Sequence, residues 1–245
     1  MTHFTGYGRT EDCRDERSFG GPVITERKVS DLMDNMEEEK FLRPEEIEQE
    51  SFRIIERELK EMGIRLPEDR DPVIRRVIHT TADFSYVDTL YFSDGALEEL
   101  KKLLRAGTRI VTDTQMALSG INKKKVSAMG GEVRCFMAEP DVAEEAGRRG
   151  VTRATVSMER AAALPGDTVV VIGNAPTALL QLRDMILSGT WRPAFIVGVP
   201  VGFVNVEYAK ECIRKLDVPC ILNLGRKGGS NVAAAIINAV LKMID

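Results

Sequence analysis

VVVIGNAPTAL at 169–179, AFIVGVPVGFVN at 194–205 and CILNLGRKGGSN at 220–231 share one pattern: a short apolar run, a loop of Gly, Pro and Asn, then helical periodicity. A short, unbroken apolar run bounded by turn residues reads as a strand buried on both faces, which is the signature of a parallel sheet. Three such units in succession set three loops along one edge of that sheet, the edge at which open α/β folds bind ligands.

Working outward, the alternation continues toward the N-terminus. YVDTLYF (86–92) reads as a strand, DGALEELKKLLRAG (94–107) as a helix closed by Gly107, TRIVTD (108–113) as a strand and NKKKVSAMGG (122–131) as a short helix. GEVRCFM (131–137) reads as a strand, PDVAEEAGRRG and VSMERAAAL as helices, and SNVAAAIINAVLKMI as the closing helix. The expected fold class is therefore α/β: a mostly parallel sheet with helices on both faces, in a single domain over 23–245.

Upstream, PEEIEQESFRIIERELKEMG (44–63) has Pro at its start, Glu45 and Glu46 in its first turn and Gly63 at its end, the signals of a capped helix. Ile47, Phe52, Ile55, Leu59 and Met62 supply its expected buried stripe. DPVIRRVIHTTAD (71–83) is a second helix, with His79 near its C-terminal end. VSDLMDNMEEE (29–39) has a helical pattern, and residues 1–22, polar and without periodicity, are expected to be a flexible arm.

Composition narrows the function. With 43% hydrophobic residues in 245, the chain can bury a large core, and a net charge of −4 without a basic stripe argues against nucleic-acid binding. The longest apolar run, 194–204, is too short for a bilayer span and is broken by Gly and Pro. The first residues contain no apolar signal core, so a cytoplasmic location is expected. Cys13, Cys135, Cys212 and Cys220 form no C-x-x-C pair and have no histidine at ligand spacing, so no metal site is expected.

The blocks RPEEIEQESFRII, RVIHTTADF, IVTDTQMALSGI, IGNAPTAL, VGVPVGFVN and GRKGGSNVAAAIINAV, in that order, resemble the precorrin-8X methylmutases, including the cobalt-precorrin-8 methylmutases of cobalamin biosynthesis. The resemblance spans about 22–245. It implies an isomerase, working without a cofactor, that moves a methyl group between adjacent ring C carbons of a corrinoid tetrapyrrole. It implies His79 as the catalytic proton donor, and an imidazole suits that task because it titrates near neutral pH. It also implies a homodimer with its sites at the subunit boundary. The apolar loop residues Phe203 and Val204 are too hydrophobic to be expected to stay exposed, which agrees with a surface covered by a partner or ligand.

A corrinoid carries a rim of carboxylates around a flat apolar body. Arg226 and Lys227 offer charge, Gly228 and Gly229 offer close approach to backbone N–H groups, and Ser230 is the expected cap of the last helix. Asn174, Ala175 and Thr177 form a second, less charged rim, with Gly202 and Phe203 as apolar wall. Ser51, Asp113, Thr114, Gln115 and Met116 are binding positions by resemblance. So are Thr155 and Ser157, flanking Val156, where the family carries the arginine of a Thr-Arg-Ser triplet; Arg153 and Arg160 are the replacements within reach.

The residues also permit plainer readings. A lone histidine ending an amphipathic helix is commonly structural, the glycines suit ordinary tight turns, Asp113 suits a helix N-cap, and EEEK (37–40) and KKK (123–125) suit solvated faces. A nucleotide-binding enzyme is disfavoured, because neither G-x-G-x-x-G nor the P-loop spacing is present. A non-catalytic corrinoid carrier of the same fold is the remaining alternative.

Overall fold

The structure, a computed structural model, describes residues 43–244, with Pro44 and Glu45 described by their backbone alone. The expected arm at 1–22 and helix at 29–39 lie outside the described residues. Arg43–Glu46 is described as the opening of helix α1 (Pro44–Glu61), where the Arg43 N–H donates to Glu46 Oε2 at 2.8 Å. The unit Ile47–Asp245 carries the sheet and every candidate site residue.

In chain order the remaining elements are α2 (Asp71–Thr81), α3 (Tyr86–Thr89), β1 (Leu90–Phe92), α4 (Ala96–Arg105), β2 (Arg109–Thr112), α5 (Gln115–Gly120) and α6 (Lys123–Ala128). Then follow β3 (Val133–Arg134), α7 (Pro140–Arg149), α8 (Arg153–Ala162), β4 (Thr168–Ile172), α9 (Pro176–Leu187), β5 (Phe195–Gly198), α10 (Val206–Arg214), β6 (Cys220–Asn223) and α11 (Ser230–Met243). The six strands lie in the order β1-β6-β5-β4-β2-β3, parallel except for the β1–β6 pair. The α/β class is as expected.

Side-chain alternation along the strands builds a core on each face. Ile110, Val169, Val171, Phe195, Val197 and Ile221 point into one, with α1, α2, α4 and α11. Val111, Val170, Ile172, Ile196, Cys220 and Leu222 point into the other, with α7 to α10. All five residues of β4 are buried, which explains its unbroken apolar sequence.

Several local expectations need correction. Residues 86–89 are helical, because the segment stacks a turn after α2 before only Leu90–Phe92 joins the sheet edge. GEVRCFM contributes just Val133 and Arg134 to the sheet, as an edge strand with one neighbour. The stripe on α1 narrows to Ile55 and Leu59, while Ile47 and Met62 are each 52% exposed near its two ends. Helix α5 was not anticipated; its six residues are too few to show periodicity.

The strand order decides where a ligand site forms. The chain leaves β2 outward to β3, then returns to the other side of β2 at β4, so the carboxyl ends of β2 and β4 flank a topological switch point. Asp113 directly follows β2, and Gly173 directly follows β4.

Candidate functional site

Asp113 fills the switch point with a carboxylate of its own. Fully buried, it accepts N–H groups from Gly173, Asn174 and Ala175 at 2.8, 2.8 and 2.7 Å. Burial pushes its carboxyl up, against the opposing pull of those three donors. The donors at the start of α9 are therefore spent inside the protein, so Ala175 offers no free N–H and Asp113 offers no free oxygen. Asp113 is not the helix N-cap either: Thr114 caps α5, accepting the Ala117 N–H.

The GRKGGS loop is held from within in the same way. The Gly229 N–H donates to the Val199 carbonyl at 2.9 Å, and a Cβ on Gly228 would lie 2.1 Å from that oxygen. The Gly229 N–H is thereby spent, and the two glycines, at φ +151° and +139°, permit the close backbone approach. Ser230 is the first residue of α11 rather than its cap, and its hydroxyl pairs with that of Thr114 at 2.8 Å. Gly173 packs against Ser230 so closely that a Cβ would approach Ser230 Cα to 2.6 Å, which joins the two loops backbone to backbone.

Beneath this loop stands Lys210, fully buried on α10. Its ammonium donates to the carbonyls of Gly225 at 2.7 Å and Lys227 at 2.9 Å, and burial lowers its pKa to about 8. Asn223 Nδ2 adds a bond to the Lys227 carbonyl at 2.8 Å. Sequence reading missed both. A signal was present, since Lys210 falls on the apolar stripe Val206, Ala209, Ile213 of α10, where a solvated lysine does not belong.

His79 sits in the last turn of α2, beside Ala82, a non-glycine residue in the left-handed region at φ +51°. Its ring stacks on Phe52 of α1, with centroids 5.1 Å apart and planes 18° apart. Two cavities meet it. One, of about 350 Å³, is lined by Ser51, Ile54, Glu58 and Phe84; the other, of about 450 Å³, by Arg76, Gly120, Asn231, Asn238 and Lys242. Burial, and next the Arg76 cation, hold its pKa below the ordinary imidazole value. The segment after His79 is tied to the sheet edge: Lys227 Nζ meets Asp83 Oδ2 at 2.6 Å and Ser85 Oγ at 2.9 Å.

The structure thus brings His79, Ser51, Lys227 and the start of α11 into one region. On the opposite face of the sheet, the hydroxyls of Thr152, Thr155 and Thr177 cluster, with Thr152 donating to Thr177 at 3.1 Å. Asn174, Gln115 and Met116 are exposed along the edge, Met116 at 70%. Gly202 donates its N–H to the Arg226 carbonyl, and Phe203, 83% exposed, lies under the Arg226 guanidinium rather than in a wall.

Ser157 is buried and donates to the Arg153 carbonyl at 2.7 Å, and Val156 is wholly inside the core. A charged side chain at 156 has nowhere to go. Thr152 is the N-cap of α8 and Arg153 its exposed first residue, so a Thr-Arg pair also stands at 152–153. Arg160 is occupied by Glu145 at 2.8 Å and Asp141 at 3.1 Å.

A family model described as precorrin-8X methylmutase matches residues 46–243. The chain belongs to that family. It is 45% identical over 207 residues to a cobalt-precorrin-8 methylmutase of Salmonella typhimurium, covering 81% of this chain and 94% of the relative. Against a cobalt-precorrin-8 methylmutase of Priestia megaterium it is 40% identical over 204 residues, 83% of this chain and 90% of the relative. A crystal structure of a precorrin-8X methylmutase from Thermus thermophilus superposes with a TM-score of 0.72 at 39% identity, covering 81% and 96% of the two chains. Family membership makes the chain an enzyme, an isomerase of the methylmutase type in cobalamin biosynthesis. Among the described residues no helix is long and apolar enough to cross a membrane, and no cluster of metal-ligating side chains occurs.

Proposed function

We propose that the enzyme moves a methyl group between adjacent ring C carbons of precorrin-8 or its cobalt form, with His79 lending a proton to the macrocycle while the methyl migrates. The reaction is an isomerisation, so the proton returns to His79 and no other atom is gained or lost. What carries this reading is the placement of His79, the one histidine among the described residues, on the lining of two cavities, with Lys227 tied to Asp83 and Ser85 in the segment that follows it. An imidazolium whose pKa is held low is the stronger acid and surrenders its proton readily. Arg153, with Thr152, Thr155 and Thr177 around it, suits a substrate carboxylate on the far rim. Orientation of the macrocycle by these rims supplies much of the remaining rate.

The chain is also read as a cytoplasmic homodimer. Val201, Phe203, Val204 and Tyr208 are exposed apolar or aromatic residues, Phe203 and Val204 at 83% and 78%, and Phe203 lies against Arg226 of the GRKGGS loop; a second copy or a bound ligand would cover them. A monomer by light scattering at micromolar concentration sinks this part.

The experiment is anaerobic incubation with precorrin-8 and, separately, its cobalt form, following the visible spectrum for the wild type and His79→Ala. Conversion of one form that is lost in the variant supports the reading. Tight binding without conversion leaves a corrinoid carrier as the better account.

A further inference from the structure

The groups around His79 form a continuous array that the assigned proton transfer does not by itself require. Phe52 stacks on the imidazole; the Arg76 guanidinium lies 4.6 Å above the same Phe52 ring. Arg76 pairs with Glu48 Oε1 at 2.6 Å, and Lys242 of α11 reaches that same oxygen at 2.8 Å. One carboxylate on α1 thereby gathers two cations that line the cavity of His79, and those two cations hold the Glu48 carboxyl down at about 2.

We propose that Phe52 and Glu48 are positioning residues for His79: Phe52 fixes the plane of the imidazole, and Glu48 governs the charge around it by holding Arg76 and Lys242 in place. The assignment rests on the reading of His79 as the proton donor. The alternative, that Phe52 is merely one more packed aromatic, does not explain why a cation, an imidazole and a carboxylate are strung along it. A ring stacked within 18° of parallel removes rotation about the histidine's second side-chain torsion, the freedom a proton donor must lose to meet a fixed macrocycle.

The charged groups facing His79 come from each element packed on it: Glu48 and Glu58 from α1, Arg76 from α2 itself, Lys125 from α6 and Lys242 from α11. Within this set Glu48 favours the imidazolium and Arg76 and Lys242 oppose it. Replacing Glu48 by Gln removes the favouring charge and leaves the two opposing ones unneutralised. Replacing Lys242 by Met does the reverse.

The chain has only His3 and His79, so proton NMR of the imidazole resonances follows His79 directly once His3→Gln identifies the other signal. The expected result is a His79 midpoint lowered by about 0.5 pH unit or more in Glu48→Gln and raised in Lys242→Met. Phe52→Leu is expected to lower kcat by roughly ten-fold with little change in KM, and Phe52→Tyr, which keeps the ring, to restore it. Circular dichroism melts confirm that each variant is folded. An unchanged midpoint in Glu48→Gln overturns the role of Glu48, and wild-type kcat in Phe52→Leu overturns that of Phe52. Turnover surviving in His79→Ala sinks the proton-donor reading instead, and the NMR midpoints, which need no substrate, separate the two failures.

Discussion

The ammonium of Lys210 donates to the carbonyl of Lys227 at 2.9 Å from a fully buried position, so one lysine of the chain holds the backbone of another at the sheet edge. Burying a cation without a paired carboxylate is costly, and here two carbonyl dipoles and the more distant charge of Glu207 offset it. Lys210→Met removes that cost but takes its donor from the Gly225 carbonyl, while the Lys227 carbonyl keeps Asn223. The expected outcome is a change in unfolding free energy of no more than about 2 kcal/mol by urea titration, together with a several-fold rise in KM as the loop loses its anchor. Because the folded pKa of about 8 lies below the ordinary 10.5, the neutral amine is favoured in the folded state. The wild type should therefore gain stability relative to Lys210→Met as pH rises from about 8 to 10.5, and lose it again on the way down.

Asp113→Asn tests the clamp at the switch point. An amide presents one acceptor where the carboxylate presented two oxygens to three N–H donors, and its own NH₂ faces those donors. The expected loss is about 2–4 kcal/mol of stability in urea. A variant as stable as wild type would show that the three bonds do not hold the loop.

Gly228→Ala places a methyl group 2.1 Å from the Val199 carbonyl oxygen, at a φ of +151° that alanine disfavours. Backbone on backbone has no side-chain route of escape, so the loops must part. The expected cost is on the order of 3 kcal/mol or more, read as a lowered Tm, with a loss of substrate affinity larger than that of Lys210→Met.

How far the sequence spoke depended on the range of the interaction. β4, β5 and β6 were legible because continuous apolar runs bounded by Gly, Pro and Asn admit few other structures, and α2 and α4 because their stripes repeat over several turns. β3 is shorter than its apolar run suggests because only two of its residues pair in the sheet, and the helix at 86–89 is hidden because four residues have no period to display. At the candidate site, His79 stands out in the sequence by its chemistry and its block of residues. The inward use of Asp113, Gly229 and Lys210 does not, since each depends on a partner at least 15 residues away in the chain. Thr155-Val156-Ser157 and Thr152-Arg153-Ala154 look alike as strings, and the burial of Val156 beside the exposure of Arg153 is a difference that only the fold displays.

Arg153 and Arg160, seven residues apart on the same helix, then make a controlled pair. Arg153 is exposed at the start of α8 beside the threonine cluster, whereas Arg160 is engaged by Glu145 and Asp141. Arg153→Gln is expected to raise KM about ten-fold or more, the usual consequence of losing a charge-assisted contact to a substrate carboxylate. Arg160→Gln should leave KM near wild type and alter stability by no more than about 1 kcal/mol, since its ion pairs are largely solvated. The reverse ranking would return the carboxylate contact to Arg160.

The pH dependence of His79 carries the last prediction. Its pKa lies below the ordinary imidazole value because burial, then Arg76, disfavour the imidazolium. A folded pKa below the unfolded one means that the contribution of His79 to stability is present above about 6.5 and is lost as pH falls through the folded value. Relative to His79→Gln, the wild type should therefore weaken on acidification below pH 6.5, measured as a falling urea midpoint. Catalysis runs the other way. A proton donor must carry its proton, so kcat/KM should rise as pH falls toward the His79 midpoint and decline above it, until acid unfolding intervenes. The NMR midpoint of the free enzyme and the descending limb of kcat/KM should coincide, and a limb that lies well above the NMR midpoint would assign the proton to another group.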